Sequence, residues 1–307
     1  MKTALLFPGQ GSQRVGMGRD LALAHVVAKR TYEEADEVLG FALSKLCFEG
    51  PEDELTLTKN TQPAILTTSI AVFRSLLEKG LQFDIVAGHS LGEWSALVAA
   101  GALSLRDAVK LTHLRGTYMQ EAVPVGEGAM AALMGLSLDA VKTVCEKSSQ
   151  PGQPVEPANL NGGGQVVISG HTAAIDRAIL EAKSAGAKIA KKLAVSAPFH
   201  CSLMKPAAEK LAAAMAGVVI STPTVPVVAN VTAEPTTDPG RIKDLLVQQV
   251  TAPVRWEESI QTIAKLGVVK AYELGSGAVL KGLVKRIADK IDVTTIGEPH
   301  EVAAFSA

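Results

Sequence analysis

Gly88-His89-Ser90-Leu91-Gly92 stands between a short predicted strand at 84–87 and a helical pattern that begins at once. Small residues on both sides of a serine let the chain turn sharply, so that the hydroxyl projects from a strand end while the next helix begins. Such a turn needs a strand and a helix packed side by side, and therefore predicts an α/β fold. The amide of Leu91 and the partial positive charge of the new helix would both face the oxygen of a reacting carbonyl. An ordinary Gly-Ser turn at a helix start is the bland alternative. Pattern and position together favour the catalytic reading.

The rest of the first half repeats the alternation. Residues 3–7 predict a strand ended by Pro8-Gly9. Pro63 reads as the opening of a helix in which Ile65, Leu66, Ile70, Phe73 and Leu77 keep the three-to-four spacing, with Gly80 as the stop. Ser104, with Asp107 three residues on, resembles a capping box and starts a helix that runs to about Glu121, before Pro124. From Gly128 the rhythm changes. Strands at 129–134, 155–160, 165–169 and 188–195, with helices at 138–146 and 173–183, give β-α-β-β-α-β, the ferredoxin-like order. Later come helices at 203–215, 242–250, 257–266 and 278–288, and strands at 225–229, 268–273 and 293–296. The expectation is an α/β-hydrolase-like catalytic core with a mostly parallel sheet, built from 1–125 and 197–307. A ferredoxin-like α+β subdomain, 126–196, is inserted into it.

Composition removes several function classes. With 307 residues, 47% hydrophobic and 20% charged, the chain buries a core without staples and is not disordered. Lys plus Arg number 30 against 31 for Asp plus Glu, a formal charge of -1, which lacks the basic footprint of a nucleic-acid binder. Cys47, Cys145 and Cys201 are odd in number and form no C-x-x-C, so neither a disulfide framework nor a zinc site is encoded. The first apolar run, 4–7, is too short for a signal-peptide core, and no apolar stretch approaches membrane-spanning length. A cytoplasmic protein without membrane association is expected.

A serine hydroxyl needs a base, and six histidines compete. His25 and His300 lie in surface-like sequence, and His113 shares the polar side of its helix with Arg106, Lys110 and Gln120. His171 follows Gly170 at a loop. His89 lies inside the turn, where adjacent side chains point apart, and is read as a support of the loop. His200 runs from a strand end into a helix start, where the helix dipole opposes imidazolium formation. A helix-capping histidine is an equal alternative, and no acid after Ser90 stands out as its partner. Arg115 falls in the middle of the apolar row Ala108, Leu111, Met119 and Ala122. Such a guanidinium snorkels, pairs with an internal acid, or binds an anionic ligand, and its fork suits a carboxylate-bearing acyl group. Gly9-Gln10-Gly11-Ser12-Gln13 has Arg at position 14 where a dinucleotide fingerprint needs glycine. Gly126 to Ala131 fits G-x-G-x-x-A but precedes a strand, and reads as a linker. The loop after Gly9 can instead bring backbone amides toward an oxyanion.

Phe7 to Gln13, Thr61-Gln62-Pro63-Ala64, Gly88 to Ser95, Arg115, Asn159 to Gln165, Ser196 to His200, Gln249 to Val254 and Glu273 to Gly277 occur in one order over nearly the whole chain. In that combination the sequence resembles the malonyl-CoA:acyl carrier protein transacylases of fatty acid synthesis. The resemblance implies Ser90 as nucleophile, His200 as its base, and the backbone carbonyl of Gln249 as the group that orients the imidazole. It further implies an oxyanion hole from the amides of Gln10 and Leu91, a malonyl carboxylate bound by Arg115, and Phe199 and Leu91 as residues that go with malonyl selection. Trp94 stands where tyrosine or phenylalanine is more frequent, and Ser276 where proline is common. Malonyl-CoA and acyl carrier protein are the implied partners, with a ping-pong mechanism and neither cofactor nor metal. Lys183, Lys188, Lys191 and Lys192 are candidates for a local basic surface facing an acidic carrier, with a solvated face as the plainer reading. A polyketide or malonate decarboxylase acyltransferase, a serine esterase, and a non-catalytic protein on the same core are the alternatives.

Overall fold

The computed structural model describes residues 2–195 and 197–306. Among these residues ten strands form two sheets: β1 Lys2–Phe7, β2 Ile85–Gly88, β3 Gly128–Met134, β4 Val155–Gly162, β5 Gln165–His171, β6 Ile189–Lys192, β7 Val227–Val228, β8 Pro235–Thr236, β9 Val268–Leu274 and β10 Asp292–Ile296. The larger sheet has the order β10-β9-β1-β2-β7-β8 and is parallel except for the β7–β8 pair. Strand β1 lies inside it and is apolar on both faces. Leu5 and Phe7 join one buried cluster, and Ala4 and Leu6 join another on the opposite side. A parallel strand covered by helices on both faces needs just such an unbroken apolar run.

The second sheet has the order β4-β5-β3-β6 and is antiparallel throughout. Helices Leu138–Ser148 and Thr172–Ser184 cover one face, over a core that includes Ala131, Leu133, Val141, Ile168 and Ile175. Met130 and Val167 face the other way and join the main core of the molecule. This is the ferredoxin-like topology that the β-α-β-β-α-β order predicts. The α/β fold with a mostly parallel sheet and a separate antiparallel one is as expected.

Several details differ. The helix around Pro63 begins earlier, at Thr58, and runs to Leu77 with the proline inside. Proline there removes the bond to the carbonyl four residues back, and that carbonyl, of Lys59, instead accepts from His113 Nδ1 at 2.9 Å. Strand β6 stops at Lys192, short of the expected 195; Leu193 N still donates to Met130 O at 2.9 Å, and residues 193–195 line a cavity. Ser196 lies outside the described residues. The helix expected at 203–215 is a 3₁₀ turn, Ser202–Met204, succeeded by Lys205–Ala214. Helices Arg19–Ala24, Val26–Leu39, Leu43–Glu49, Glu52–Thr56 and Pro299–Ala304, and strand β8, have no counterpart among the expected elements. Among the described residues no helix is long and apolar enough to cross a membrane.

Candidate active site

Strand β2 ends at Gly88, and helix Leu91–Ala99 starts two residues after His89 opens the turn. The turn between them forces Ser90 to φ 51 and ψ -107, a conformation that a side-chain-bearing residue adopts only under strain. The two glycines make it feasible. A Cβ on Gly88 would lie 1.9 Å from the Gly92 carbonyl carbon, and one on Gly92 would lie 2.0 Å from the Phe7 carbonyl oxygen. Asn230 staples the strained turn: its Oδ1 accepts from the Ser90 amide at 2.7 Å, and its Nδ2 donates to Gly88 O at 2.7 Å.

Ser90 Oγ donates to His200 Nε2 at 2.7 Å, and His200 Nδ1 donates to the main-chain oxygen of Gln249 at 2.8 Å. The second bond fixes the tautomer and leaves Nε2 free to accept a proton. His200 is 3% exposed and sits at φ 60 in a loop. Burial, and then the nearby Arg115 charge, push its imidazole down to about 3. The ring is neutral, as the sequence suggests, with burial as the largest cause. His200 leads through Cys201 into a three-residue 3₁₀ turn with little dipole, and loss of water is what disfavours the charged ring.

Arg115 is 2% exposed, on helix Leu105–Glu121. It neither snorkels nor forms a direct ion pair among the described residues. Its Nη1 donates to Gln62 Oε1 at 2.7 Å, and its Nη2 donates to Gln249 Oε1 at 3.0 Å and to Ser90 Oγ at 3.2 Å. Burial pushes the guanidinium down to about 10, against the opposing charge of Glu93. A buried cationic fork held by two neutral amides, with one arm on the nucleophile, is fitted to receive an anion there.

These side chains line a cavity of about 340 Å³ that also includes Gln10, Leu91, Phe199, Met119, Met130 and Asn159. Every residue to which the resemblance gives a role borders it except Gln249, which reaches it through Arg115 and His200. Leu91 is the first residue of its helix, so its amide has no acceptor within the helix. His89 Nε2 pairs with Asn161 Oδ1 at 2.9 Å, the loop-supporting role anticipated for it. Trp94 is fully buried, and Ser276 Oγ accepts from Arg14 Nε at 3.3 Å. Lys183, Lys188, Lys191 and Lys192 are exposed, and Lys192 Nζ is paired with Asp176 at 2.6 Å. No cluster of metal-binding side chains occurs among the described residues.

Three residues of the site have no role in the sequence reading. Gln62 belongs to a quoted motif. Asn230 carries no local signal at all. Glu93 has one: it is the single charged residue in the mainly apolar helix Leu91–Ala99, the same kind of anomaly as Arg115 in its own apolar row.

The acyl transferase domain family matches residues 4–294. The malonyl CoA-acyl carrier protein transacylase of Bacillus subtilis is 50% identical over 301 residues, which span 98% of this chain and 95% of that one. The solved transacylase of the same name from Coxiella burnetii is 44% identical and superposes with a TM-score of 0.96, over 99% of this chain and 96% of its own. A malonyl-transacylase solved in complex with a type II PKS acyl-carrier protein is 45% identical, with a TM-score of 0.96 over 99% and 98% of the two chains. The chain belongs to the acyl transferase domain family, alongside the malonyl CoA-acyl carrier protein transacylases.

Proposed function

We propose that this protein transfers a malonyl group from malonyl-CoA to the phosphopantetheine thiol of an acyl carrier protein, through a malonyl ester on Ser90. The observation that carries the reading is Arg115 Nη2 lying 3.2 Å from Ser90 Oγ. A serine esterase has no use for a buried cation beside its nucleophile, whereas a dicarboxylic acyl group needs a partner for its far carboxylate. The named activity of the relatives supports the same conclusion.

In the first half-reaction His200 Nε2 accepts the Ser90 hydroxyl proton as Oγ attacks the thioester carbonyl. The amides of Leu91 and Gln10 hold the oxyanion. Its collapse expels the coenzyme A thiolate, which takes the proton from His200. In the second half-reaction His200 accepts the carrier thiol's proton, the thiolate attacks the ester, and collapse returns the proton to Ser90 Oγ. The Gln249 carbonyl accepts the Nδ1–H in both halves and favours the transient imidazolium. Phe199, only 8% exposed at the cavity wall, limits the space beside the α-carbon. We read 126–196 as a subdomain that forms one side of the cavity and 1–125 with 197–307 as the side carrying Ser90, and place the reaction in the cytoplasm. A polyketide carrier is the alternative acceptor, in view of the complex of the related malonyl-transacylase.

Intact-mass measurement tests this. The wild type should gain one malonyl group from malonyl-CoA and lose it to added carrier protein, and Ser90→Ala should gain none. Arg115→Ala should reduce malonyl acylation by at least about 2 kcal/mol of transition-state binding while affecting acetyl acylation far less. Equal losses for the two acyl groups would remove the carboxylate role.

A further inference from the structure

Gln249 is engaged from both of its ends. Its main-chain oxygen accepts from His200, while its side-chain amide lies between Arg115 and Glu93. The amide oxygen accepts from Arg115 Nη2 at 3.0 Å, and Nε2 donates to Glu93 Oε2 at 2.7 Å. The other groups facing Nε2 are Ser90 O at 3.1 Å and Asn230 Oδ1 at 3.2 Å, acceptors as well. A flipped amide would set its oxygen against three acceptors and its NH₂ against the guanidinium, so a single orientation is compatible with the surroundings. Of the three acceptors Glu93 is the nearest and the only carboxyl. Its Oε2 also accepts the Asn230 amide at 2.9 Å, linking it to the residue that staples the Ser90 turn.

We propose that Glu93 is a positioning residue for malonyl selection: by fixing the Gln249 side-chain amide it holds the Arg115 fork at Ser90, where the carboxylate of the acyl group must arrive. This rests on the reading of Arg115 as the carboxylate partner. His200 has a carbonyl where a triad has an acid, and the acid is present one step away, acting on the same glutamine through its side chain.

The depth of the carboxyl agrees with such a role. Glu93 is 3% exposed, and burial pushes it up to about 7, restrained by the bonds from Asn230 and Gln249 and by the Arg115 charge. A carboxyl so far from water is a net burden unless its oxygens hold something in place. What they hold is set by reach. Aspartate keeps the charge but, one methylene shorter, withdraws its oxygen from Gln249. Glutamine loses the charge but keeps an acceptor oxygen at the same distance.

The test compares Glu93→Asp and Glu93→Gln with wild type, using kcat/KM for malonyl-CoA and the rate of Ser90 labelling by a neutral fluorophosphonate. The second probe reports the Ser90–His200 pair without any carboxylate. In Glu93→Asp the ratio of the two rates should fall at least about tenfold, and Glu93→Gln should recover most of it. Equal loss of both rates in Glu93→Asp would reduce Glu93 to a structural part, and a poor Gln variant beside a good Asp one would assign the effect to charge. Either result overturns the proposal. Arg115→Ala run in parallel separates the two layers. A lower ratio there with none in Glu93→Asp rejects Glu93 alone, and an unchanged ratio in both rejects the Arg115 reading beneath it.

Discussion

Burial acts in opposite directions on His200 and Glu93, and the two effects meet in one pH range. Unfolded, the histidine titrates near 6.5 and the glutamate near 4.5; folded, they titrate near 3 and near 7. Between 4.5 and 6.5 the unfolded chain carries one proton on His200 and the folded chain carries one on Glu93, so their contributions to the slope of stability against pH cancel. Glu93→Gln removes one side of the balance. The remaining depressed histidine then makes stability fall as pH drops from 6.5 toward 3, by up to about 1.4 kcal/mol per pH unit. Urea unfolding at pH 6.5 and 4.5 should therefore show a larger loss in Glu93→Gln than in wild type; parallel losses would mean that folded Glu93 stays ionised across the range. Ser90, His200 and Arg115 are legible as single residues because each breaks a local rule: a serine on a glycine-bounded turn, a histidine at an element boundary, a cation in an apolar row. Gln62 and Asn230 break none. Their work is to meet hydrogen-bonding groups far away in sequence, and no spacing within their own segments records it.

At the scale of elements, helix Thr58–Leu77 shows why a boundary read from sequence can slip. Proline normally marks a first turn, and Pro63 reads that way. The helix tolerates it five residues in because His113, from the neighbouring helix Leu105–Glu121, donates to the carbonyl that the proline leaves without a helical partner. Apolar periodicity reveals the face of this helix, but its start depends on a side chain some fifty positions away. The pairing also couples two helices that carry Gln62 and Arg115. His113→Ala should lower stability by about 1 kcal/mol, and Pro63→Ala, which restores the helical N–H, should offset much of that loss in the double variant. Additive effects in a thermal-unfolding cycle would show that the carbonyl does not depend on His113.

At the scale of the whole molecule, the cavity lies between the loops that follow β1 and β2, with helix residues such as Arg115, on one side and two strands of the smaller sheet on the other. Ser90 follows strand β2 of the larger sheet and Arg115 lies on helix Leu105–Glu121, while Met130 and Asn159 come from strands β3 and β4 of the smaller sheet. The division into two sheets is legible in the pattern of strands and helices, but the seam between the sheets is not, because part of it is made of main-chain bonds that any residue could make. Val254 N donates to Ala158 O at 2.8 Å, and Leu160 N donates to Val254 O at 2.9 Å, so β4 is paired on its far side with a segment of the core. The His89–Asn161 bond crosses the same seam directly behind the nucleophile. With Val254 fully buried, these bonds are shielded from water and break only if the sheets separate. Native-state hydrogen exchange should then find the Leu160 and Val254 amides as well protected as those of the interior strand β1, and Lys191 and Lys192 on the exposed edge strand much less so. If Leu160 and Val254 exchanged orders of magnitude faster than β1, the small sheet would be opening independently, and the distance that sets Met130 and Asn159 against Ser90 would have to be maintained by the bound acyl group instead of by the fold.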